Sequence, residues 1–105
     1  MIIVETPVFT RQIDRLLSVT SYRELQNALV DDPSRGNVIP GTGGLRKLRW
    51  LGSGRGKRGG IRVIYYWIRD RDWILMLLAY PKSERDDLTA EQQRLLRQLV
   101  EEELP

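Results

Sequence analysis

The chain contains no cysteine and no histidine. The first absence excludes disulfides and thiol nucleophiles. The second removes the commonest general base, and together they take away the usual ligands of zinc. Any chemistry therefore falls to Lys, Arg, Tyr, Asp, Glu, Ser or Thr. Long apolar runs are missing as well. The longest, Trp73 to Tyr80, has eight residues, against the roughly 20 a membrane-spanning helix needs. The opening MIIVETP has no basic segment leading into an apolar stretch, so no secretory leader is expected, and with no cysteine to indicate an oxidising compartment the default expectation is a cytoplasmic protein without a membrane role.

What is present is charge, unevenly placed. At 105 residues the chain has material for one core, so 1–105 reads as a single domain. Its formal net charge is only +3, yet Pro33 to Arg69 holds nine basic residues and no acidic ones, while the remainder holds eight basic and fourteen acidic. A molecule polarised in this way suggests a polyanionic partner, with nucleic acid first among them.

Local patterns give the element order. Residues 2–4, IIV, are β-branched and read as a short strand. Thr6 and Pro7 mark a helix start, with Phe9, Ile13, Leu16 and Leu17 recurring at helical spacing. SYRE reads as a capping box, Ser21 with Glu24, opening a second helix whose inner face is Tyr22, Leu25 and Leu29 and which Pro33 stops. Ser34 to Gly44 reads as loop. LRKLRWL, residues 45–51, reads as a strand with Leu48 and Trp50 on one face and Lys47 and Arg49 on the other. GSGRGKRGG is a hairpin connection. Ile61–Ile68 and Trp73–Tyr80 read as central strands joined around RDRD, and Thr89 with Gln92 caps a final helix lined by Leu95, Leu96, Leu99 and Val100. The expectation is an α+β domain, β-α-α-β-β-β-α, with an antiparallel sheet packed by helices.

The basic set carries the functional signal. In an antiparallel meander the start of the middle strand adjoins the ends of both neighbours, which places Arg62 beside Arg49 and Lys82. A plain solvated face is the competing interpretation, although ordinary surfaces mix the two signs. Tyr65, Tyr66 and Trp67 could stack on bases, but a central strand favours the core for them. Tyr80 closes the last strand beside Lys82. Glu84, Asp86 and Asp87 precede a helix, where capping explains them better than a metal. The glycine-rich hairpin lacks the ending of a phosphate-binding loop, so no nucleotide cofactor is expected.

Together GLRKLRW, GKRGGIRVIYYW and AYPKSERDDLT, in this element order, resemble the RelE/ParE superfamily of toxins from bacterial type II toxin-antitoxin pairs, most closely the HigB-like branch. The resemblance spans essentially the whole chain. It implies a compact RelE-like domain, cleavage of mRNA in the ribosomal A site, and neutralisation by a cognate HigA-like antitoxin with a helix-turn-helix domain, through which alone DNA would be a partner. The catalytic candidates are Lys47, Arg49, Lys57, Arg62 and Lys82, with Arg46, Arg55, Arg58 and Tyr80 as further RNA-binding residues. The late tyrosine of RelE is lacking; Thr89 stands near its place. RNA is cut without a metal when its own 2′-OH attacks the adjacent phosphate, and a cationic cluster stabilises the developing charge while favouring the neutral, base-competent form of a lysine among arginines. A ParE-like toxin that inhibits a protein such as gyrase, or an RNA-binding module that does not cut, are the alternatives.

Overall fold

The computed structural model describes residues 1–51, 60–84 and 87–103. Along the chain run β1 (Ile2–Glu5), α1 (Pro7–Leu16), α2 (Val19–Asp31), β2 (Asn37–Val38), β3 (Arg46–Trp50), β4 (Ile61–Ile68), a 3-10 turn (Arg69–Arg71), β5 (Trp73–Pro81) and α3 (Ala90–Glu103). The α+β class is as expected. The sheet, however, has five strands in the order β1-β5-β4-β3-β2 and is mixed, because β1 lies parallel to β5 while the other neighbours are antiparallel. A purely antiparallel sheet is thus corrected, and the loop 34–44 contributes the short β2 that Asn37 and Val38 form against Lys47 and Arg46. Of the hairpin connection expected over 52–60, residues 52–59, with Arg55, Lys57 and Arg58, lie outside the described residues.

Each helix starts where a side chain can replace a missing backbone acceptor. Thr6 Oγ1 accepts the Phe9 N–H at 3.0 Å and donates to Leu77 O at 3.0 Å, which caps α1 and ties it to β5. Helix α2 begins earlier than the SYRE pattern suggests. Ser18 caps it by accepting the Ser21 N–H at 3.1 Å, so Ser21 sits inside the first turn. There it is only 1% exposed and its hydroxyl accepts the Trp50 indole N–H at 3.3 Å. The competing cap won because Ser18 lies outside the helical run and can turn its hydroxyl back onto it. At α3 the expected capping box is present: Thr89 Oγ1 accepts from Gln92 N at 3.1 Å, and Gln92 Oε1 accepts from Thr89 N at 2.9 Å.

Alternation along the strands gives the sheet two packed faces. On one, Leu48, Ile61, Val63, Tyr65, Ile74, Met76 and Ala79 meet Phe9, Ile13, Leu16, Leu25 and Leu29 of α1 and α2. On the other, Leu45, Ile64, Ile68, Leu75 and Leu77 meet Leu96, Leu99 and Val100 of α3. Tyr65 anchors the first core. It is fully buried, accepts from Gly36 N and donates to Pro33 O, both at 2.8 Å, and Gly36 has to be glycine because a Cβ there would stand 2.9 Å from the ring. A bulge opposite Ile64 and Tyr65, where the register steps from Leu78 to Met76, shifts β5 by one residue. Among the described residues no helix is long and apolar enough to cross a membrane.

Candidate nucleic-acid interface

The α3-side face changes character along β3. Leu45 is buried, Lys47 half-buried and Arg49 exposed, so the apolar packing under α3 gives way to a cationic end. Pairing across the strands makes that end a row: Arg49 stands opposite Arg62, and Arg62 opposite Tyr80. Paired residues of antiparallel strands share a face, so the three side chains occupy the same side of the sheet. Like charges directly opposite one another work against pairing. The sheet holds Arg49 against Arg62 all the same, between the buried Leu48 and Val63 pair on one side and Trp50 and Ile61 on the other.

Lys82 does not take the expected place beside Arg62. Strand β5 continues to Pro81, opposite Ile61, and Tyr80 takes the Arg62 position. Lys82 follows in the turn, its backbone N–H donating to Gly60 O at 3.1 Å, while Glu84 N closes the turn on Pro81 O at 3.1 Å. Gly60, at φ +73°, is the hinge of this rim, where a Cβ would fall 2.4 Å from Trp50 O. Tyr80, 7% exposed, is therefore a fixed wall of the row.

Lys47 is engaged from elsewhere. Its ammonium forms an ion pair with Asp87, which the chain brings in from forty residues away, ahead of α3. The capping role expected of Asp87 is thereby corrected: Thr89 and Gln92 already satisfy the start of α3, and the carboxylate is left to reach the sheet. A carboxylate at the basic face is what reading the 33–69 segment alone missed. Arg46 alternates to the opposite side from Lys47, and its guanidinium donates to Gly36 O at 2.7 Å and Ser34 O at 3.1 Å, holding the loop before β2. The row thus brings together Arg49, Arg62 and Tyr80, with Lys47 and Lys82 at its borders. Arg46 is directed elsewhere, and Arg55, Lys57 and Arg58 fall outside the described residues. No protein-family model matches the chain.

This arrangement can bind a phosphodiester. Two guanidiniums on neighbouring strands carry forked donors that arginine retains at any physiological pH, and the sheet fixes the backbone positions from which both extend. The Tyr80 phenol stands in the same row, opposite Arg62.

Proposed function

We propose that this chain is a RelE/ParE-type toxin of the HigB-like branch, a ribosome-dependent mRNA endonuclease that works in the bacterial cytoplasm and is neutralised by a HigA-like antitoxin. The observation that carries the reading is the row Arg49, Arg62, Tyr80 on one rigid sheet face. In the mechanism, Arg49 and Arg62 hold the scissile phosphate and stabilise the charge that builds on its non-bridging oxygens. The 2′-OH of the preceding nucleotide attacks the phosphorus, its proton passes to a basic side chain, and the departing 5′-oxygen takes a proton from a second donor. Tyr80 within the row and Lys82 at its border are the described groups nearest to hand for these transfers, while Lys47 is held by Asp87. The phosphate ends as a 2′,3′-cyclic ester. Weak acids and bases succeed only on a substrate held in line, which is why the reading requires the ribosome.

The Lys47–Asp87 ion pair favours a second reading, since it occupies one proton-transfer candidate: a toxin that binds RNA or a protein target without cutting. Primer extension on mRNA after induction of the toxin separates the two. The endonuclease reading expects discrete cut sites within translated codons, cyclic phosphate termini, and loss of cutting when the nucleotide before the cut carries 2′-deoxyribose. Growth arrest with intact mRNA, or cutting at a 2′-deoxy site, overturns it.

A further inference from the structure

Strand β1 covers β5 only as far as Met76, so the outer edge of Ala79–Pro81 is left to α1. Gln12 of that helix accepts the Ala79 N–H on its Oε1 at 2.8 Å. Beyond this contact lies a cavity of about 330 Å³, lined by Gln12, Arg15, Leu16, Ala79, Tyr80, Pro81 and Glu84. It shares Tyr80 and Pro81 with the edge of the cationic row, because those residues pair with Arg62 and Ile61. Arg15 and Glu84 line the same cavity from opposite sides of the chain, and among the described residues no ion pair joins them. A guanidinium and a carboxylate that share a pocket without meeting leave a gap that a third group with both donors and acceptors fits.

We propose that this cavity binds a guanine base, which makes it the base-selecting subsite of the endonuclease; this second step rests on the function proposed above. The Watson–Crick edge of guanine carries two adjacent donors, N1–H and the 2-amino group, and these match the two oxygens of the Glu84 carboxylate. Its O6 and N7 are the acceptors that an arginine fork reads best, here Arg15. Adenine offers one exocyclic donor beside an acceptor, cytosine one donor beside two acceptors and uracil one donor between two acceptors, so each leaves a carboxylate oxygen facing another oxygen or nothing. The Gln12 carboxamide has its oxygen committed to Ala79 N, which leaves its NH₂ as the donor end of that side chain.

The test uses the purified wild-type protein and 5′-mononucleotides, followed by NMR chemical-shift titration. Guanosine monophosphate is expected to bind roughly ten-fold more tightly than adenosine, cytidine or uridine monophosphate, the lower end of what one bidentate base contact discriminates. Inosine monophosphate, which lacks only the 2-amino group, is expected to lose most of that preference without any change to the protein. Glu84→Gln and Arg15→Ala, both at exposed positions, are expected to level the four affinities while leaving the spectrum of the core unchanged. Equal binding of guanosine and inosine monophosphates, or shifts confined to residues away from Gln12, Ala79 and Glu84, overturns the pocket. The endonuclease reading is judged separately by primer extension: guanine binding without cut mRNA removes that reading and leaves the pocket, and cutting without base preference in the wild-type and Glu84→Gln proteins alike removes the pocket and leaves the reading.

Discussion

Arg49 and Arg62 stand directly opposite one another, on the face proposed to receive the phosphate. The proposed function predicts that activity can be lost at this position while the fold is kept. Arg62→Ala removes a phosphate ligand and is expected to lower cleavage on the ribosome by about 10² to 10³-fold, as for loss of one preorganised donor to a developing charge. Arg62 lies half-buried at the rim and is not part of either apolar cluster, so the variant is expected to fold. A protein that unfolds, or one that arrests growth as fully as the wild type, refutes the assignment. Lys82→Arg asks a different question, since it keeps the charge and replaces the amine by a guanidinium, which is a poor base. A phosphate-holding role leaves cutting near normal; the proton-transfer role expects a large loss, read as single-turnover cleavage of a defined codon.

Elements show where reading the sequence succeeds and where it stops. The strands β4 and β5 were legible, as Ile61–Ile68 and Trp73 to Tyr80, because burial on both faces demands near-continuous apolar residues. Helix α1 was legible from Thr6 and Pro7 and from the spacing of its apolar residues. Strand β2 was not: two exposed residues in a glycine-rich stretch carry no periodicity, and only the edge of β3 makes them a strand. The parallel partnership of β1 with β5, and the reach of Asp87 to Lys47, are likewise decided by tertiary contacts between distant segments. Of the candidate site, the sequence showed the cations but not their order, because the β4–β5 register sets Tyr80 opposite Arg62 and leaves Lys82 two residues further on, in the turn beside Gly60.

Tyr65 couples strand β4 to the loop that follows α2, and its hydroxyl serves both Gly36 N and Pro33 O. Tyr65→Phe leaves both backbone groups without that partner and is expected to cost about 1–3 kcal/mol, measured by denaturant unfolding. Burial pushes the Tyr65 phenol above its ordinary value, and burial together with the neighbouring Glu5 carboxylate does the same for Tyr22. Both phenols therefore hold their protons more tightly in the folded chain than in the unfolded one. Their contribution to stability is complete below about pH 10, the unfolded phenol value, and is lost progressively as pH rises beyond it. Unfolding free energy is expected to fall on the alkaline side, and less steeply in Tyr65→Phe. An unchanged alkaline slope in that variant excludes the coupling.

At the scale of the whole molecule, the sheet order turns a sequence asymmetry into a spatial one. The 33–69 segment, with nine basic residues and no acidic one, forms β2, β3 and β4, which lie together at one side of the sheet, whereas β1, β5 and all three helices come from the chain segments that hold every acidic residue. A single-stranded polyanion is thereby attracted to the β3–β4 side and repelled from the other. Binding of a 2′-deoxy oligonucleotide, which the proposed mechanism cannot cut, is expected to weaken with salt. The slope of log K against log salt should be about −3 if roughly four phosphates are neutralised, and Arg49→Ala should make it shallower by about 0.7. An antitoxin that docks on the same face must compete with the oligonucleotide and share its salt dependence. One that seats instead on the apolar surface of α1 and α2, where Val8 and Val19 are exposed, should bind equally well at low and high salt and leave oligonucleotide affinity unchanged. A flat salt dependence for the oligonucleotide itself would remove the electrostatic basis of the proposed interface, because the three side chains of the row have no other means of holding a strand of arbitrary sequence.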